Sequence, residues 1–377
     1  MKLALIRQRY TPFGGAERFI ERALAALHRD DLEVTVIARE WPAEAQSAYR
    51  RILVQPFSIG RTWRDAAFAI AACRAVAAGG FDLVQSHERV PCCDLFRAGD
   101  GVHREWLIQR ARRRGRLTSM LDRVSPFHRR ILAAERALFA SRRLKTVICN
   151  SRMVRDEIVQ HYGVDPSRLA VIQNAVDSQH FHPGLRGRFH ADQRKQLGIT
   201  ADRPLFLLVG SGFERKGVDL LLEIWPEVDA ALVVVGHDRN LAGYRKRAHR
   251  LRDRVFFLGP QQDVRPWYGT ADAFVLPTLY DPMPNAALEA LACGLPVLTS
   301  TKSGAAELIR PGVNGDVADA LDRNAWLASL HAWRDPERCR AAAPDARQAV
   351  QHLAPEAMQN LFADLYARLL KQTLEIQ

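Results

Sequence analysis

Along the chain, short runs of consecutive apolar residues alternate with longer stretches in which apolar positions recur every three or four residues. In the first half, KLALI, VTVIA, DLVQS, DLFRAG, TVICN and LAVIQ read as strands, with GAERFIERALAALH and SRMVRDEIVQHY among the helices between them. In the second half, LFLLVG, ALVVVG, VFFLG, AFVLP and PVLTS repeat the plan. Strands this apolar, separated by helices, predict parallel sheets covered on both faces. The expected fold is therefore α/β, with two doubly wound, Rossmann-like domains. The polar stretch DSQHFHPGLRGRFHADQ, residues 177 to 193, carries Pro and Gly and little apolar periodicity, and it reads as the boundary. Domains over 1–180 and 181–355 follow, with a final helical segment, 356–377, compatible with packing on either domain, including back on the first.

Composition narrows the class. At 377 residues, 47% hydrophobic and 25% charged, the chain has enough apolar material for two cores, which excludes disordered and fibrous proteins. Six cysteines show neither Cys-x-x-Cys spacing nor the density of a disulfide framework, which fits a reducing compartment and no structural zinc. MKLALIRQRY is too short in apolar residues for a signal-peptide core, and AAFAIAACRAVAAGG is broken by Arg74 before it reaches the length of a membrane span. A protein that is soluble or peripheral to a membrane is expected.

In doubly wound sheets, ligands sit outside the carboxyl ends of the strands, so the loops that follow strands are where chemistry is sought. The first such loop holds Gly14 and Gly15, which either make a tight turn or let backbone approach an anion or sugar. The loop after LFLLVG holds Arg215 and Lys216 where a helix is expected to start. Cations there oppose the helix dipole, which makes them either solvated surface charge or partners of a bound polyanion. The loop after AFVLP runs YDPMPNAALEALACG, and it places Asp281 before a helix and Glu289 in what reads as its first turn, with Asn285 as the N-cap. Alone, Glu289 there is only a dipole partner. Together, Arg215, Lys216 and the amides of residues 284 to 286 (Pro284, which contributes no N–H, Asn285 and Ala286) can converge on one diphosphate, flanked by two acids able to accept from hydroxyl groups. A nucleotide sugar has that layout.

GFERKG, followed by VFFLGPQQDVRPWYGTADAFVLPTLYDPMPNAALEALACGLPVLTS, closely resembles the retaining GT-B glycosyltransferases of family 4, the group 1 type. FGGAER near the start and NSRMVRDEIVQHYGVDPSRLAVIQNAVD extend the resemblance over nearly the whole chain. FGGAER with DLFRAGDGVHREW is most similar to the lipopolysaccharide core glucosyltransferases acting on inner-core heptose. The resemblance implies two domains facing across a cleft, and a role for each matching residue. Arg215 and Lys216 bind the donor diphosphate, and Glu289 holds the ribose. Asp281, at a position more often Glu, contacts the donor hexose. Gly14 and Gly15 close over the donor. Asp100 falls where many relatives carry an active-site His, with His103 as a further donor-sugar or acceptor contact; a helix-start histidine is the alternative for His103. No Asp-x-Asp occurs, so no metal and no cofactor is expected, and Arg215 and Lys216 take the place of Mg²⁺ at the leaving group.

Charge adds a partner. Residues 104 to 145 contain 13 Arg or Lys against 3 acids, a net +10 of the chain's +12. The segment reads as two helices, the second opening at Ser125 and Pro126, with apolar positions at Leu117, Met120, Leu121 and Val124 and at Phe127, Ile131, Leu138 and Phe139. Such basic amphipathic helices suit an anionic membrane surface, with Trp106, Arg110, Arg112, Arg113, Arg114 and Arg116 as contacts. Packing on the first domain with solvated arginines is the alternative. Nucleic acid is not expected, since no nucleic-acid-binding motif accompanies the charge. The function expected is transfer of a hexose, with retention and without metal, from UDP-glucose to a lipid-linked saccharide, on the inner face of the inner membrane. The alternatives are another donor (UDP-GlcNAc or a GDP-sugar) with a different glycan, or a non-catalytic nucleotide- or nucleic-acid-binding protein.

Overall fold

A computed structural model of the protein describes residues 2–9, 33–41 and 50–374. The loop bearing Gly14 and Gly15, and the helix expected after it, lie outside the described residues. Two compact units divide the chain: Met1–Asn174 with Glu356–Gln377, and Ala175–Pro355.

In the first unit the described residues form a seven-stranded sheet from β1 (Lys2–Ile6), β2 (Glu33–Ala38), β3 (Arg50–Leu53), β4 (Leu83–Ser86), β5 (Leu95–Arg97), β6 (Thr146–Cys149) and β7 (Leu169–Val171). The order is β3-β2-β1-β4-β5-β6-β7, every pairing parallel. Helices Gly60–Gly79 and Pro126–Phe139 cover it through Phe68, Ala72 and Val76 on one and Leu138 and Phe139 on the other. The final helix, Pro355–Leu374, lies almost wholly in this unit, where the Tyr366 hydroxyl donates to Oε1 of buried Gln85.

The second unit repeats the design with β8 (Leu205–Val209), β9 (Ala231–Val235), β10 (Val255–Gly259), β11 (Ala273–Leu276), β12 (Val297–Ser300) and β13 (Gly315–Ala318), in the order β10-β9-β8-β11-β12-β13, again all parallel. Its core includes Trp225, Trp326 and Trp333, fully buried. Each indole N–H finds an acceptor: the Ala230 carbonyl at 3.0 Å, the Asp319 carbonyl at 2.9 Å and the Asp316 carboxylate at 2.8 Å. Burying these large rings therefore leaves no donor stranded.

The expected α/β class with two parallel-sheet domains is the fold observed. Three details differ. The stretch read as a boundary, 177 to 193, is not all irregular: the helix Leu185–Leu197 begins within it. Leu185, Phe189 and Leu197 pack on the core, and Arg186 and Arg194 add ion pairs to the buried Asp272 carboxylate at 2.9 and 2.6 Å, so its apolar periodicity is sparse. Strands β3 and β13 were not visible as apolar runs, because both sit at sheet edges and carry polar or partly exposed positions. Finally, Cys73 of helix Gly60–Gly79 is bonded to Cys92 in the loop after β4, with Cα atoms 5.6 Å apart, a pairing that the cysteine spacing does not announce. Low cysteine density excludes a framework but not a single bond between a helix and the loop beside it.

Candidate active site

The second sheet reverses its order between β8 and β11, and the loops leaving these two neighbours flank the crevice where doubly wound sheets take ligands. After β8 the chain makes a one-turn helix, Phe213–Lys216, then breaks at Gly217 (φ 78°) before helix Val218–Ile224. Arg215 and Lys216 therefore lie in the last turn of a short helix and not in the first turn of a long one, which corrects the expected placement. Gly217 is required twice over. Its positive φ disfavours other residues, and a Cβ there would come 2.0 Å from the Pro277 carbonyl oxygen in the loop after β11. The same two loops are joined by hydrogen bonds to the Arg215 carbonyl from the Leu279 N–H (2.8 Å) and the Thr278 hydroxyl (2.9 Å).

This knitting brings Arg215, Lys216 and Asp281 together. Lys216 Nζ donates to Asp281 Oδ2, and Arg215 Nη1 lies 3.4 Å from the same oxygen. Asp281 is anchored by its backbone, whose N–H donates to the Lys302 carbonyl at 2.9 Å and whose carbonyl accepts from Gly304 N–H at 2.8 Å. Burial acts to raise the Asp281 pKa, but Lys216 and Arg215 outweigh it and hold the carboxyl below the usual range. Burial, with Arg215 nearby, also brings Lys216 below the usual lysine range despite Asp281. Two cations thus share one carboxylate, an excess of positive charge that an anionic ligand would balance.

Helix Asn285–Ala292 begins at the far end of this loop, with Pro284 in the cap position and Asn285 as its first residue, so Asn285 is not the N-cap. Ala286 follows, and Ala287 is the first residue whose N–H returns to Pro284, at 3.0 Å. Glu289 sits in the second turn, beyond the reach of a simple dipole partner, and is nevertheless buried. Its carboxylate accepts from the Tyr268 hydroxyl at 2.8 Å. Sequence reasoning missed Tyr268. Its signal was a tyrosine in PWYGTADAF one helix before β11.

In the first unit the order reverses between β1 and β4, and the loops leaving them carry Arg7, Gln8, His87, Glu88 and Arg89, also missed. The Gln8 N–H donates to Glu88 Oε1 at 3.0 Å, and Arg7 Nη1 lies 3.6 Å from it. Beside them Arg97 donates to Asn174 at 2.7 Å; burial, then the charge of Arg7, brings its pKa down to about 9. Asp100 is exposed in the turn after β5. Buried Glu135 fixes that turn, accepting from the His103 N–H at 2.7 Å and from Arg89 Nε at 2.9 Å, while Arg89 Nη2 donates to the Gly101 carbonyl at 3.1 Å.

The basic segment forms helix His103–Val124, kinked at Gly115, and helix Pro126–Phe139, preceded by Ser125. His103 and His128 meet at 3.0 Å, tying the two together, while Arg110 donates to Asp122 at 3.1 Å across the kink of the first. Arg112 donates to Gln109 at 2.9 Å and is exposed, as is Arg114, whereas Trp106 and Arg113 are half-buried. The Arg116, Leu117 and Leu121 side chains lie outside the described ones. Leu138 and Phe139 enter the core, while Ile108, Met120 and Val124 stand exposed. The apolar positions therefore divide between packing and surface.

Residues 13–180 match the pattern of Glycosyltransferase Family 4, and residues 203–333 that of Glycosyl transferases group 1. The lipopolysaccharide glucosyltransferase WaaG of Escherichia coli is 26% identical over 84% of this chain and 85% of its own length. The D-inositol 3-phosphate glycosyltransferase of Xylanimonas cellulosilytica is 31% identical over 64% of this chain, which spans 61% of it. The crystal structure of a WaaG superposes with a TM-score of 0.79 at 25% identity, covering 96% of this chain and 99% of that one. A protein of Anabaena, solved with UDP-glucose bound, shares the fold at a TM-score of 0.74 and 18% identity, over 98% of this chain and all of its own. With both halves matched and two sheets of this order, the chain belongs to the group 1, family 4 glycosyltransferases of the GT-B fold.

Proposed function

We propose that the protein transfers a hexose from a nucleoside diphosphate sugar, UDP-glucose, to a lipid-linked saccharide, the heptose of a lipopolysaccharide inner core, with retention at the anomeric carbon and without a metal. The observation that carries the reading is the excess positive charge where Arg215 and Lys216 share Asp281 beside the start of helix Asn285–Ala292. Arg215, Lys216 and the first amides of that helix receive the diphosphate. Glu289 accepts from the ribose hydroxyls, and Asp281 from a hydroxyl of the hexose. As the bond from the anomeric carbon to the diphosphate oxygen breaks, negative charge grows on that oxygen, where the two cations stabilise it. The acceptor hydroxyl attacks from the same face and passes its proton to the departing oxygen. The products are the new glycoside and the nucleoside diphosphate. The bound likeness in the Anabaena structure and the WaaG relationship support this donor and acceptor class.

The exposed Ile108, Met120 and Val124, set among arginines, support docking on an anionic membrane surface, at the inner face of the inner membrane. No helix among the described residues is long and apolar enough to cross a membrane. The test is incubation with a panel of UDP-, GDP- and ADP-sugars and truncated lipopolysaccharide cores, with the anomeric configuration of the product read by nuclear magnetic resonance. A product from UDP-glucose with retained configuration supports the reading. Transfer only from a different nucleotide base, or inversion, overturns it.

A further inference from the structure

Helices Gly60–Gly79 and Pro126–Phe139 leave a trough of about 1110 Å³ between them on the first unit. Each turns one stripe to the core, Phe68, Ala72 and Val76 on the first and Leu138 with Phe139 on the second. The adjacent stripes, Ala69, Ile70 and Ala77 on one helix and Leu132, Ala133 and Ala137 on the other, line the trough. Ile70 is 56% exposed. Arg74, Arg129, Arg130 and Arg136 edge the trough, Arg89 beside them being paired with Glu135, and among the described residues lining it there is no carboxylate. Cys73, which also lines it, is tied to Cys92 and so fixes one wall to the loop after β4.

An apolar floor with an exclusively cationic edge selects a ligand that is itself divided, with a long apolar part and an anionic head. We propose that this trough takes one acyl chain of an anionic phospholipid drawn from the membrane, its phosphate meeting Arg74, Arg129, Arg130 and Arg136. This rests on the membrane reading above and sharpens it from a charged surface to a discrete lipid site.

The full chain is titrated calorimetrically with monomeric lysophosphatidylglycerol, lysophosphatidylcholine and glycerol 3-phosphate, and sedimented with vesicles of phosphatidylcholine with and without phosphatidylglycerol. Lysophosphatidylglycerol binds, and each of the other two small ligands, lacking either the net charge or the chain, binds about tenfold more weakly or less. The doubly substituted Ala133→Trp, Ala137→Trp variant keeps every arginine but fills the trough, and it loses lysophosphatidylglycerol affinity by about tenfold or more. Undiminished binding by that variant, or equal binding of glycerol 3-phosphate, overturns the site. Should the filled variant not fold, Arg74→Gln with Arg130→Gln removes the preference for lysophosphatidylglycerol over lysophosphatidylcholine, and an unchanged preference overturns it equally. A wild-type chain indifferent to phosphatidylglycerol in vesicles sinks the membrane reading itself, whereas vesicle binding with an ineffective filled variant sinks only the trough.

Discussion

Tyr268 donates its hydroxyl to Oε2 of Glu289 at 2.8 Å, with the Ala286 carbonyl oxygen 3.2 Å away, so one buried ring steadies both the carboxylate and the start of its helix. The ring is 1% exposed, packed edge-on against Phe181. Tyr268→Phe removes one oxygen and no packing. If Glu289 holds the donor ribose, the variant raises the donor KM about 5- to 10-fold with kcat nearly unchanged, because the interaction lost is felt equally in ground and transition states. Saturation kinetics with UDP-glucose and with a donor lacking both ribose hydroxyls check this. The penalty should vanish for the second donor, and a penalty of the same size on both would reduce Tyr268 to a structural part.

Sharing of one carboxylate by Lys216 and Arg215 gives a second pair of outcomes. Lys216→Met lowers kcat by about 10²- to 10³-fold, the loss typical when one preorganised charge at a leaving group is removed. Asp281→Asn removes the neutralising acid and leaves both cations, so UDP binding is retained or tightened while transfer falls. Calorimetry with UDP beside steady-state transfer separates the two effects. An Asp281→Asn enzyme with full transfer activity would remove Asp281 from the donor site.

At Gly217 the backbone geometry of the site can be tested without touching a charged group. Gly212 and Gly217 share φ near 78°, but a Cβ at Gly212 meets nothing within 4 Å, whereas one at Gly217 runs into the Pro277 carbonyl. Both Ala variants bear the conformational strain, about 1 to 3 kcal/mol. Only Gly217→Ala adds the collision, which pushes the loop after β8 away from the loop after β11. Urea unfolding should therefore rank Gly217→Ala below Gly212→Ala, and equal stabilities would show that the loops accommodate the methyl group freely.

How much of this was legible follows from which interactions leave a trace in local sequence. β8, β9, β11 and β12 announce themselves because a strand covered on both faces must be apolar throughout. β3 and β13 do not, because RRIL and GDVA carry polar or partly exposed residues at their sheet edges. Arg215, Lys216 and Asp281 were singled out by the rule that ligands gather at strand ends, and by family likeness. Their sharing of one carboxylate was not, since it depends on the Gly217 break and on contacts 65 residues apart. Tyr268 and Glu135 escaped for a related reason. A buried residue whose partner is a side chain elsewhere in the fold looks like any other core position until the partner is placed beside it. The helix Leu185–Leu197 left little trace because only Leu185, Phe189 and Leu197 pack on the core, and ion pairs of Arg186 and Arg194 with Asp272 complete its hold.

His87, in the loop after β4, carries the clearest consequence for pH. It is 8% exposed, its Nε2 lies 3.1 Å from Gln85 Nε2, and burial, then Arg97 and Arg7, hold its pKa well below 6.5. In the unfolded chain the same imidazole takes up a proton near pH 6.5. Between that value and its lower folded pKa, the unfolded state binds one more proton than the folded state, so stability rises with pH there and is lost as pH falls. The limiting slope for one proton is about 1.4 kcal/mol per pH unit. Urea unfolding at a series of pH values from above 7 down through 5 should show stability declining below pH 6.5, and His87→Gln, which cannot titrate, should decline by up to that much less per unit. Parallel declines in the two proteins would mean that other groups set the acid sensitivity of this unit. A steeper decline in the variant would contradict the burial of a neutral imidazole beside Arg97.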